Sequence, residues 1–170
     1  MTSLKTLIAH TRATVDELLH LCTADETGGA LYAQVVGPHI RHVLDHFDSL
    51  LEGSHCSEAV VNYDARSRDI RTETMRGVAV DRLRRVLSGL QGLESLALDS
   101  PLQVLCSSVP GESVVPVPST LGRELLFVQS HAIHHQAVIR AQAEALGLLL
   151  PPDFGKAPAT IAQERLLAAG

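Results

Sequence analysis

At 170 residues the chain is long enough to bury a core, and a formal net charge of −5 denies it the basic face that sequence-independent nucleic-acid binding needs. Aromatic residues are only 3% of the chain and Trp is absent, so a core of Leu, Val, Ile and Ala is expected, which suits helix packing. Cys22, Cys56 and Cys106 are too few and too scattered for a disulfide framework, no apolar run is long enough to span a bilayer, and Lys5, His10, Arg12, Asp16 and Glu17 interrupt the start where a signal peptide would be apolar. These features predict one domain over residues 1–170, in the cytoplasm, with neither membrane nor nucleic acid as partner.

In chain order, Leu4, Leu7, Ile8, Val15, Leu18 and Leu19 recur at helical spacing from Ser3 to about Leu21, and Asp25-Glu26-Thr27-Gly28-Gly29 reads as a break. A second helix is expected from Gly37-Pro38 to Gly53-Ser54, with Ile40, Val43, Leu44, Phe47, Leu50 and Leu51 as its apolar stripe. At about 100° per residue, His39 and His46 lie on one flank of that stripe and His42 lies further round. His55 to Asp69 reads as a long polar loop. The simplest reading of its Asp64, Arg66, Arg68 and Asp69 is a salt-bridge network, and Asp64, Arg66 and Arg68 are also candidates for contact with substrate. A third helix is expected over 70–96, with Arg82, Arg84 and Arg85 on its solvated face. Val104, Leu105, Val114, Val115 and Val117 around Pro110-Gly111 suggest a short β-hairpin near 103–117 or an extended loop, confined to an edge by its prolines. Ser119 is the expected N-cap of a fourth helix that stops at Gly147. Thr160-Ile161-Ala162-Gln163 has the form of a capping box and suggests a short C-terminal helix. The expected fold is all-α: a four-helix bundle with long crossover connections.

Six of the nine histidines fall in two short windows, His39/His42/His46 and His131/His134/His135. His131 and His135 are four apart, so they project from one face of the fourth helix and can close on one ion. His134 is rotated outward. A third imidazole from the second helix would complete a three-histidine site with an open position, the mark of a catalytic rather than a structural metal centre. Such an ion activates water or a thiol, or polarises a carbonyl. Ser130 cannot pair with its neighbour His131 across the helix. In the competing reading the histidines are incidental rim and core residues of a plain bundle. Cys106 is expected to be a buried thiol.

Two segments, Ile40-Arg41-His42-Val43-Leu44-Asp45-His46-Phe47 and Leu125 to Gln136 with Ser130-His131-Ala132-Ile133-His134-His135-Gln136, resemble the helix-two and helix-four patterns of the DinB-like (DinB/YfiT-type) superfamily of metal-binding four-helix bundles. The resemblance spans nearly the whole chain. It implies His46, His131 and His135 as ligands, with His42 or His39 as a replacement for His46 or as its support. It implies a divalent ion, zinc first, with nickel, iron or manganese as alternatives. The resemblance also implies an enzyme acting on a small molecule, such as a low-molecular-weight thiol, by transfer or hydrolysis, and a homodimer. A non-catalytic dimeric metal-binding scaffold or sensor is the alternative. The second helix carries three histidines where the family needs one, and Gln136 stands where an arginine often follows the last ligand.

Overall fold

The computed structural model describes residues 3–24, 29–107, 109 and 114–170. Most of the expected break at Asp25–Gly29, the Pro110-Gly111 tip and the side chain of Cys106 lie outside the described residues.

Helix α1 spans Leu4–Thr23, and the Ser3 hydroxyl caps it by accepting from the Thr6 amide. Its inner face buries Leu7, Ile8, Val15, Leu18 and Cys22, each large aliphatic contributing about 1.5–3 kcal/mol. Helix α2 spans Gly37–His55 and continues directly from a helical turn at Gly29–Leu31 and a π-helical segment at Tyr32–Val36. Pro38, no longer at a free helix start, would clash with a carbonyl one turn back. The wider π turn just before it relieves that crowding.

The stretch after α2 is not wholly irregular. Strand β1, Val60–Asn62, pairs in parallel with β2, Pro101–Cys106, which pairs antiparallel with β3, Val115–Thr120. The three-stranded order is β1-β2-β3, so Pro116 and Pro118 sit on an edge strand. β1 escapes sequence reading because three residues carry no period.

The expected single helix over 70–96 is broken. Helix α3, Ile70–Thr74, ends at Met75, whose φ of −118° and ψ of 96° are extended, and α4 runs over Arg76–Gly92 before a 3-10 turn at Leu93–Ser95. The break turns α3 inward. The Thr72 carbonyl accepts from the Tyr32 hydroxyl at 2.7 Å and its hydroxyl accepts from Arg82 at 2.9 Å. Arg82 therefore does not join Arg84 and Arg85 on the solvated face. It is buried and also donates to Asp45 and Asp48.

Helix α5 spans Leu121–Ala145 and α6 spans Pro158–Ala168. Thr120, not Ser119, caps α5 by accepting from the Arg123 amide, because the Ser119 hydroxyl is taken by Glu124. α6 begins before the expected capping box, with Pro158 in its first turn and no side-chain cap. Gly147, at φ 80°, follows the end of α5 as expected. Each of the four long helices packs against two others: α1 against α4 and α5, and α2 against the same pair. The apolar core lies inside that ring, with the small sheet beside α2 and α5. No described helix is long and apolar enough to cross a membrane.

Candidate metal centre

The facing stripes of α2 and α5 bring both histidine windows to one place. The His42 ring centroid lies 4.6 Å from His46, 4.9 Å from His131 and 4.7 Å from His135. His131 lies 4.3 Å from His46 and 4.7 Å from His135. His39 joins from the next turn of α2, 5.1 Å from His135, whereas His134 is exposed and its ring lies 5.3 Å from that of His135. One nitrogen from each of His42, His131 and His135 falls within 4.8 Å of the other two, close enough for all three to hold one ion. His46, which the family resemblance gives as the α2 ligand, is packed against two members of that trio and is the most buried ring of the cluster.

Hydrogen bonds fix which nitrogens carry lone pairs. His46 Nδ1 is 2.8 Å from the His42 carbonyl, which can only accept, so Nδ1 carries the proton and Nε2 a lone pair. His39 and His135 share one proton between their Nδ1 atoms, 2.9 Å apart. With that proton on His135, its Nε2 is free to bind a cation while His39 orients the ring. His131 Nε2 is buried with no hydrogen-bond partner among the described residues. A buried ring nitrogen without a partner is unfavourable in the apo protein, and a cation would satisfy it. Neutral, half-buried imidazoles converging on such an atom fit a divalent ion of the zinc, nickel or iron type.

Burial keeps these rings neutral. Desolvation, followed by the fields of neighbouring histidines, lowers His42 and His131 to about 4 and His135 to about 3; burial also lowers His39 and His46. At neutral pH burial therefore favours the uncharged form of His39, His42, His46, His131 and His135.

The wall beside the rings is aromatic and polar. Tyr63 stacks on His46 at 5.5 Å, Phe127 stacks on His131 at 5.9 Å, and the two touch each other at 5.1 Å. The Tyr63 hydroxyl donates to buried Glu124 at 2.8 Å, and Glu124 also accepts from Ser119. Tyr63 and Phe127 also line a cavity of about 330 Å³ with Val117 and Arg123, which no histidine of the cluster lines. A larger cavity, of about 540 Å³, lies at the end of α1 and touches no member of the cluster.

The polar loop does not form the expected salt-bridge network. Arg66 reaches the cluster and sits 3.0 Å from His42 Nδ1. Asp64 instead accepts from the Ser107 amide, which lowers its pKa, and Arg68 donates to the Asp64 carbonyl. Asp69 caps α3 and pairs with Arg71. Beneath the rings, Asp45 is buried between Arg41 and Arg82. Sequence reasoning missed the Tyr63–Glu124 and Arg66–His42 pairs, whose members are 61 and 24 residues apart.

Fold and site together define a helix-rich protein with a histidine cluster shared by two facing helices. No family model matches the chain, and no solved structure matches it. The chain is similar to a protein of Rhizopus delemar called FK506-binding protein 5, at 38% identity over 104 residues. That match covers 60% of this chain and 27% of the relative, so the chain spans only about a quarter of that relative's length.

Proposed function

We propose that the chain is a four-helix bundle of the DinB-like type that holds a divalent cation, zinc in the first place, on His42, His131 and His135, and acts on a small molecule by transfer or hydrolysis. The observation that carries this reading is the closed trio of neutral imidazoles around the partnerless Nε2 of His131. The ring of four long helices, each packed against two of the others, supports the bundle assignment. When bound, such an ion supplies a Lewis acid that eases deprotonation of water or a thiol. The protein's own residues do the rest. His39 orients His135, Tyr63 and Phe127 exclude water from one side, and His46 presents a spare lone pair beside the trio. That lone pair can accept a proton from a substrate or serve as a fourth ligand.

Metal content after purification without chelator tests the reading. Wild type is expected to carry about one equivalent per chain, H131A and H42A almost none, and H46A to retain its ion. Loss in H46A with retention in H42A would move the α2 ligand to His46. A wild-type protein that holds no zinc, nickel, iron or manganese, and takes none up on reloading, overturns the metal reading. Turnover of a small thiol with an electrophile by the loaded protein, absent in H131A, separates the enzyme from a metal-binding scaffold.

A further inference from the structure

Arg66 stands in the way of the ion. A guanidinium can only donate, so at 3.0 Å it commits the lone pair of His42 Nδ1 and leaves the proton of the neutral ring on Nε2. If His42 offers Nδ1 to a cation, Arg66 occupies that nitrogen. If it offers Nε2, the proton must move to Nδ1, where it would oppose the Arg66 N–H. Either way His42 cannot bind a cation until Arg66 leaves. His46, His131 and His135 carry no such block.

Charge then decides what happens to the displaced guanidinium. Three neutral imidazoles bring nothing to offset a dication, and Arg66 adds a third positive charge in a half-buried place. Of the carboxylates on this side of the molecule, Asp45 is engaged by Arg41 and Arg82, Asp48 by Arg82, and Asp64 accepts from the Ser107 amide, while Glu52, which lines a pocket with Arg66, is exposed. Arg66 Nε is also buried with no hydrogen-bond partner among the described residues, so its fork has a donor not used by them. A planar fork with a free donor next to a dication suits a small oxyanion.

We propose that Arg66 is the anion-recognition residue of this centre: parked on His42 in the metal-free protein, it turns to a carboxylate-type ligand when the cation binds, so that metal and anion bind cooperatively. This rests on the metal-centre reading and names the substrate class of that site as anionic.

Cobalt(II) titration followed by visible absorption tests it, in perchlorate buffer with and without sodium acetate as the probe anion. Without acetate, R66Q is expected to bind cobalt about tenfold more tightly than wild type. Acetate is expected to tighten cobalt binding by wild type and to leave R66Q nearly unchanged. R66K, which keeps the charge without the fork, should lie between them. Arg66 is on a half-exposed loop, and circular dichroism confirms that each variant is folded. Equal cobalt affinity in wild type and R66Q overturns the parking role while leaving the metal centre intact. Tightening in R66Q without an acetate effect in wild type overturns the anionic substrate class. Absence of cobalt binding by both proteins overturns this proposal and the metal centre together.

Discussion

His42 and His46 are one turn apart on α2, yet their hydrogen bonds give them opposite protonation patterns. The His46 ring donates through Nδ1 to a carbonyl, while the His42 ring accepts there from Arg66. The spacing of His131 and His135 made half of the cluster legible in the sequence. Which α2 histidine closes it was not, because positions 39, 42 and 46 share one half of a helix and their reach depends on how α2 crosses α5. Burial of these rings predicts a pH dependence. As pH falls below about 6.5 the unfolded chain binds protons on them. The folded rings of His42, His131 and His135 stay neutral down to about 4 or 3. Their contribution to stability is therefore fully present above about pH 6.5 and is lost as pH falls through 4. The melting temperature of the metal-free protein should drop across that window, and the drop should be shallower in a variant with His135→Gln. Parallel profiles for the two proteins would contradict the assignment.

At the scale of elements, the break at Met75 and the buried Arg82 are one feature. The apolar periodicity of 70–96 is continuous, so nothing local announces a break. Long-range contacts impose it: Thr72 meets Tyr32 and Arg82, and Arg82 reaches Asp45 and Asp48 on α2. An arginine in a helical stretch reads as solvated because its partners are tens of residues away. Asp45 joins this network at the residue before His46, so it ties α4 to the helix that carries half of the cluster. Asp45→Ala removes one carboxylate from two arginines, Arg41 and Arg82, and is expected to cost about 3 kcal/mol of stability in urea unfolding. A loss below about 0.5 kcal/mol would match an exposed pair instead. Gly53 is fixed at the same level, since a Cβ there would come within 2.5 Å of the Val60 carbonyl oxygen. That contact lets α2 and β1 lie close together and sets where the loop bearing Tyr63 and Arg66 begins.

Across the whole molecule, the helical spans and their apolar faces were readable because each is amphipathic over many turns. The parallel strand β1 and the pairing of α2 with α5 were not, since both are set by contacts between distant segments. The proposed ion would sit across that α2–α5 seam, so binding it only in the folded state adds to global stability. EDTA in excess should lower the melting temperature of wild type as purified and leave that of H131A unchanged. An equal shift in both proteins would place the chelator effect elsewhere.

The edge strand has a consequence for how the molecule behaves in a crowd. β3 presents Val115 and Val117 largely bare, an arrangement that ordinarily invites a neighbouring copy to extend the sheet. Proline fits a ladder only where its nitrogen faces away from the paired strand. Pro116 and Pro118 therefore take two amide donors off the open margin. Extension of the sheet along β3 by a second copy is hindered there by missing hydrogens rather than by charge.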